Sequence, residues 1–179
     1  MNKIGFGGGC HWCTEAVFQS LIGVDKVEQG WIASQPPFDA YSEAVLVHFN
    51  RAEIDLRVLL EVHLRTHASQ HEHRLRSKYR SAAYVFDDAQ AAEAREALTR
   101  LQGEFDAPIV TRILPFESFR ESAPRFQNYY RDNPDRPFCR NYIDPKLALL
   151  RRRFGRHAKP VESVSDQPFN ERGTTNDEL

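Results

Sequence analysis

The sequence predicts an α+β domain, a mixed β-sheet with helices packed against it in a two-layer α/β sandwich. Three observations point there. Segments with period-two hydrophobic alternation are interleaved with segments carrying a 3.6-residue apolar stripe. Neither the dinucleotide-binding nor the P-loop glycine signature occurs, so the nucleotide-binding α/β folds have no support. The 179 residues, 41% of them hydrophobic, suffice for one domain with a sizeable core.

The elements follow in order. Residues 2–6 alternate and form a strand, and residues 13–22 are helical up to Gly23. Val24 to Ile32 reads as a second strand interrupted by Gly30, and the prolines after Ser34 make a loop. Ala44 to Phe49 is a third strand, with Val45, Val47 and Phe49 on one face. Asp55 caps a helix whose stripe is Leu56, Leu59, Leu60, His63 and Leu64. Ser69 to Lys78 is polar and reads as a loop, and Ser81 to Phe86 as a strand. Asp88 opens a helix over 89–102, with Ala91, Ala94, Leu98 and Leu101 on one side. Ile109 to Leu114 is a further strand, Pro124 to Asp132 is helical, and Pro145 starts a basic last helix ending at Phe154. From Gly155 onward polar residues dominate. The expected organisation is a single catalytic domain over 1–154 and a flexible tail over 155–179.

Charge narrows the function classes. With 27% charged residues and a formal net charge of −1, nothing favours nucleic acid or an anionic membrane surface as partner. No apolar run approaches the ~20 residues of a membrane span, and no signal-peptide core follows Met1. A cytoplasmic setting is expected. Three cysteines, an odd number, do not make a secreted disulfide framework and point instead to catalysis or metal.

The chemistry centres on Gly7-Gly8-Gly9-Cys10-His11-Trp12-Cys13. Glycines deliver Cys10 to the start of a helix, where unpaired N–H groups and the helix dipole favour thiolate over thiol. Cys13 stands three residues on, within reach of a disulfide. A redox-active cysteine is the economical reading; a glycine-rich turn with two buried thiols is the bland one.

These residues resemble the active-site segment of the A-type peptide methionine sulfoxide reductases, which shows Gly-Cys-Phe-Trp, a small residue or Cys, then Glu. The likeness continues in Ser42-Glu43-Ala44-Val45, Lys78-Tyr79-Arg80-Ser81, Phe126-Gln127-Asn128-Tyr129-Tyr130, Pro137-Phe138-Cys139 and Ile143-Asp144-Pro145-Lys146, and covers roughly residues 3–154. The resemblance implies a ferredoxin-like core and reduction of methionine S-sulfoxide in proteins or peptides, or of the free amino acid. It implies no bound cofactor and no metal, a sulfenic acid on Cys10, and an external dithiol, thioredoxin, as partner.

The residue chemistry fits that reading. A sulfoxide sulfur is electrophilic, but its oxygen leaves only when protonated. Reduction therefore asks for a thiolate, Cys10; an acid, Glu43, inside an otherwise apolar strand; a hydrogen-bond donor, Tyr79; and an apolar slot for the methyl group, with Trp12 as one wall. A sulfenic acid condenses with a second thiol. Cys13 is local, and Cys139 stands where the family often has a resolving cysteine.

The departures concern substrate binding. His11 replaces the family's Phe and brings a titratable ring to the slot. The loop that carries a tyrosine between the second and third strands is shortened, leaving Phe38 or Tyr41 to fill in. No acid precedes Tyr79 in register: Arg74 stands there, with Glu72 nearest. Weak turnover of ordinary methionine sulfoxide substrates is expected. The alternatives are a thioredoxin-like dithiol oxidoreductase using Cys10-x-x-Cys13, a module of this fold with reduced or lost activity, and a zinc site drawing on His67, His71 and His73 with the two cysteines.

Overall fold

The structure, a computed structural model, describes residues 2–70 and 78–160. Strand β1 (Asn2–Gly7) leads into helix α1 (His11–Gln19), then β2 (Val24–Ala33), β3 (Ser42–Phe49), α2 (Leu56–Thr66) and β4 (Ala82–Val85). Helix α3 (Asp88–Gln102), β5 (Arg112–Pro115), β6 (Ser118–Glu121), the one-turn α4 (Tyr129–Asp132) and α5 (Asp144–Arg153) complete it.

The six strands form one sheet in the order β5-β4-β1-β3-β2-β6. Its centre, β4-β1-β3-β2, is antiparallel throughout. β1-α1-β2 and β3-α2-β4 are two interleaved crossover units, the ferredoxin-like arrangement. Only β4 and β5 run parallel, joined through α3, so the sheet is mixed, as the alternating pattern predicts. Its fold is an α+β two-layer sandwich.

Alternation along β3 sorts the core. Val45, Val47 and Phe49 join Ile4 and Phe6 beneath the helices, against Phe18, Leu59, Leu60, Leu101, Leu147 and Leu150. Ala44 and Leu46 face the other way, with Ile32, Ala82 and Tyr84, under Phe38, Phe116 and Phe119. Arg80 secures the covering loop by donating to the carbonyls of Phe38 and Ala40.

Boundaries differ from the sequence reading where local chemistry decides. α3 is capped by Asp87, whose side chain accepts from the Gln90 N–H at 2.7 Å, one residue earlier than expected. Asp55 stands at the N-cap of α2 with extended backbone but makes no side-chain cap bond. α1 starts at His11 rather than 13, which puts Cys10 at its N-cap. The segment expected as a helix over 124–132 is a 3₁₀ turn (Pro124–Phe126) and α4, separated by Asn128 at φ 56°. A π-helical turn (Cys139–Ile143) precedes α5. Strand β6 escapes the sequence reading because its four residues are edge residues without a buried face.

At the head of the expected tail, Gly155–Pro160 is tied to the domain. Ala158 bridges Leu21, Lys159 N–H donates to Ser20 O at 2.7 Å, and the Lys159 ammonium donates to Val24 O at 3.1 Å. The remainder, 161–179, lies outside the described residues.

Gly30 is required by the approach of β6: a Cβ there would stand 2.1 Å from Arg120 O and 2.7 Å from the Phe119 ring. Gly30→Ala should therefore push β6 off the edge and destabilise the domain by roughly 1–3 kcal/mol, the usual cost of overpacking. Urea unfolding checks this; an unchanged midpoint would show that β6 contributes nothing to stability.

Candidate active site

Strand β1 ends where Gly8 (φ 151°) turns the chain toward α1, and an added Cβ on Gly8 would meet the His67 ring at 2.5 Å. His63 donates to Gly7 O at 2.7 Å, and His67 Nε2 contacts Ser81 Oγ at 2.7 Å. His63 of α2 and His67 at its C-cap, stacked on each other, thus brace the turn. Cys10 follows as the N-cap residue of α1, its carbonyl accepting from the Cys13 and Thr14 N–H groups.

The Cys10 thiol is half-buried and is held below the usual thiol range. The principal cause is a hydrogen bond from the Cys13 thiol, opposed by burial and helped by the Trp12 and Cys13 backbone N–H groups. Cys13 is driven the opposite way, because it donates to Cys10 and is itself buried. One thiol is biased toward thiolate and its neighbour toward the protonated form. Behind them lies a cavity of about 40 Å³ lined by Gly9, Cys10, Cys13, His63, His67 and Lys146. The Lys146 amine, which donates to Thr66 O, is pushed down by burial and partly restored by the two thiols.

Glu43 lies opposite Trp31 of β2, on the helix-covered face that also carries Val45. Burial raises its carboxyl above the usual range, against the nearby Lys78 ammonium. Oε2 is buried with no hydrogen-bond partner among the described residues. The Glu43 N–H donates to Lys78 O at 3.0 Å, which ties the acid to the segment bearing Tyr79. Tyr79 is half-buried, and the Lys78 ammonium sits 5.0 Å from its ring centroid.

Trp12 packs face to face on Tyr129 (centroids 4.1 Å apart, planes within 4°) and edge-on against Phe138 at 5.4 Å. Its Nε1 is buried without a hydrogen-bond partner among the described residues. Cys139 is fully buried in the π-helical turn, its Sγ 3.6 Å from Asn133 O, and burial raises its thiol. All three cysteines are free thiols.

His11 and Tyr41 sit differently from the slot-lining positions expected of them. The His11 ring is buried (5% exposed), donates from Nδ1 to Gly30 O at 2.7 Å, and meets Trp31 edge-on. Burial pushes its pKa below the ordinary histidine value. Tyr41 precedes β3 on the exposed rim, its hydroxyl 3.0 Å from Ser118 Oγ and its ring 4.5 Å from the Arg120 guanidinium. Phe38 covers the opposite face of the sheet. Glu72, Arg74, His71 and His73 lie outside the described residues. Among the described residues no cluster of three His, Cys, Asp or Glu side chains is arranged to hold a metal.

Glu15 has no assigned role in the sequence reading, yet it organises the site's far wall. It is fully buried, accepts from Gln29 Nε2 and Tyr129 N–H through Oε1 (both 3.1 Å), and from Asn128 N–H through Oε2 at 3.0 Å. The available signal was a lone carboxylate three residues after Trp12 in a helix whose inner side is otherwise apolar. Lys78 and Lys146 were quoted only as parts of motifs.

A sequence profile described as peptide methionine sulfoxide reductase matches residues 2–158. Peptide methionine sulfoxide reductase MsrA of Deinococcus radiodurans is 39% identical over 166 residues, covering 84% of this chain and 81% of that protein. The chain belongs to the peptide methionine sulfoxide reductase family. The MsrA of Chromobacterium violaceum is 37% identical, covering 86% of this chain and 97% of its own. Among solved structures, reduced Mxr1 of Saccharomyces cerevisiae shares the fold with a TM-score of 0.66 at 22% identity, over 77% of this chain and 88% of that one. Mxr1 in complex with Trx2 matches at 0.56 and 22%, over 72% and 84%. The protein is thus an oxidoreductase of the peptide methionine sulfoxide reductase kind.

The hydrogen bond from Cys13 is the leading cause of the acidic Cys10 thiol. Cys13→Ala should therefore raise the Cys10 pKa, read as a thiolate absorbance titration near 240 nm. Titration at the wild-type pH would mean that the backbone N–H groups alone set the thiolate.

Proposed function

We propose that this protein reduces methionine S-sulfoxide in proteins or peptides to methionine, with Cys10 as nucleophile and Glu43 as proton donor. The observation that carries it is the opposed tuning of two groups: a thiol held toward thiolate at a helix N-terminus and a carboxyl held toward its acid form on β3. That is the combination a sulfoxide requires, since attack at sulfur and protonation at oxygen must coincide.

The reaction balances as follows. The Cys10 thiolate and one proton from Glu43 convert the sulfoxide to sulfide and leave Cys10 as sulfenic acid. The substrate sulfur gains two electrons and the Cys10 sulfur loses two. The Cys13 thiol then displaces water to form the Cys10–Cys13 disulfide. An external dithiol restores both thiols and is itself oxidised; thioredoxin suits this role, and the solved Mxr1–Trx2 pair of the same fold supports it. Trp12, backed by Tyr129 and Phe138, supplies apolar surface for the methyl group, and Tyr79 a donor for the oxygen. Cys139, fully buried beside Asn133, acts after Cys13.

Stereospecific turnover tests the reading. The S-epimer of a peptide methionine sulfoxide should be reduced with dithiothreitol and the R-epimer left. Cys10→Ser should abolish the reaction, and Glu43→Gln should slow it by the ~10²–10⁴-fold of a lost general acid. Appreciable turnover by Cys10→Ser, or a Glu43→Gln rate near wild type, would remove the corresponding role.

Peptide mapping after one equivalent of sulfoxide, without reductant, should find the Cys10–Cys13 bridge first. A dominant Cys10–Cys139 bridge, unchanged in Cys13→Ser, would overturn the local order.

A further inference from the structure

We propose that His11 is a positioning residue that shares one proton with Glu43, so that the two side chains form a single acid rather than a carboxyl beside an aromatic wall. The proposal rests on the reading of Glu43 as proton donor and deepens it.

The geometry comes first. His11 Nε2 lies 3.4 Å from Glu43 Oε1. The other ring nitrogen is committed, because Nδ1 donates to Gly30 O at 2.7 Å. In the neutral ring, Nε2 therefore carries a lone pair, and it stands 3.4 Å from a carboxylate oxygen in a site where the two side chains are 5% and 12% exposed. Two lone pairs so placed repel unless a proton lies between them. The arrangement is satisfied when Glu43 Oε1–H donates to Nε2, or when an imidazolium N–H donates to the carboxylate. Oε2 has no hydrogen-bond partner among the described residues, so a half-turn of the carboxyl carries the protonated oxygen from Nε2 to the substrate side without breaking a bond there.

The charged surroundings are few. Lys78 lies near both groups and favours the unprotonated pair. The Cys10 thiolate favours the protonated one. Across β2 the face continues through Trp31 to Arg120, whose guanidinium stacks on Tyr41. Burial disfavours charge on either member taken alone. A proton held between them avoids both costs: Glu43–H with neutral His11 carries no charge, and the ion-paired form carries compensating ones. The pair therefore releases its proton at higher pH than either group would alone. During turnover that proton passes to the sulfoxide oxygen. This leaves the unfavourable confrontation of carboxylate and lone pair, which drives uptake of a new proton from water once the sulfide has left. A phenylalanine at position 11 can do none of this.

Two measurements test the proposal. In pH profiles of kcat/KM on one sulfoxide with dithiothreitol, the alkaline limb should move to lower pH by about one unit or more in His11→Phe, and likewise in His11→Gln, which keeps a polar side chain without a titrating one. In parallel, NMR titration of the His11 ring and the Glu43 carboxyl should show both responding at one common midpoint in wild type. The His11 midpoint should fall in Glu43→Gln. Overlaid pH profiles, or a His11 titration indifferent to Glu43→Gln, would overturn the pairing. Its failure is distinguishable from failure of the general-acid reading: the latter fails if Glu43→Gln turns over near the wild-type rate, whereas the pairing alone fails if Glu43→Gln is crippled while the His11 profiles overlay.

Discussion

The pairing of β1 with β3 governs the rest of the molecule, because it sets Gly7 opposite Ala44. From that register, the chain leaving β1 reaches Cys10 three residues later, while the residue before Ala44 is Glu43. Side chains alternate along a strand, so a slip of one residue would turn Glu43 to the opposite face, among Tyr84 and Leu46, and bring Ala44 under α1. The register resists such a slip. Val45, Val47 and Phe49 are each fully buried on the helix side and would all have to leave it together. The relation of thiol to acid is thus enforced by apolar burial several residues away from either group.

A second constraint is polar. Glu15, on the same helix as Cys10, ties the segment after Phe126 to the sheet through two backbone N–H groups and Gln29. Gln127 extends the network to Gln29 O at 2.8 Å and to Ser122. Buried networks of this kind impose specificity only when every member is satisfied. Here they hold Asn128 in a left-handed conformation and so aim Tyr129 at Trp12. Burial raises the Glu15 carboxyl, while its three donors favour the anion. The aromatic wall beside Cys10 therefore depends on a fully buried carboxyl group that is not part of it.

How much of this was legible in the sequence follows from how local each signal is. Glycines, a cysteine and a helical stripe are read within a few residues, so the Cys10 segment and the central strands came through with errors of one or two positions. The β4-β5 pairing and the loop across the second face are non-local, and no window of sequence displays them. β6 was missed because its residues carry no alternation. The surroundings of His11 are hidden from the sequence for a related reason. Its neighbours in sequence, Cys10 and Trp12, suggested a wall of the slot. Its neighbours in space are Gly30 and Glu43, contributed by two different strands, 19 and 32 residues away. Glu15 was visible as a residue and invisible as an anchor, since two of its three partners lie more than a hundred positions on.

The electrostatics of the site come from one cause acting on groups of different charge type. Burial penalises whichever form is charged, so it raises Glu43 and lowers His11. Cys10 would rise as well; it falls because the donors gathered at the start of α1, the Cys13 thiol foremost, outweigh that penalty. Desolvation alone would leave a neutral thiol beside a neutral acid, and nothing would attack the sulfoxide. Hydrogen bonding alone, in an open site, would leave a thiolate beside an ionised carboxylate, with no proton for the oxygen. The fold separates the two effects by direction: donors converge on the sulfur from the helix end, while the carboxyl enters from a strand, where every backbone N–H is already committed to the sheet or, for Glu43 itself, to Lys78 O. A helix N-terminus facing a strand is therefore enough to move a thiol and a carboxyl in opposite directions, the one toward its anion and the other toward its neutral form.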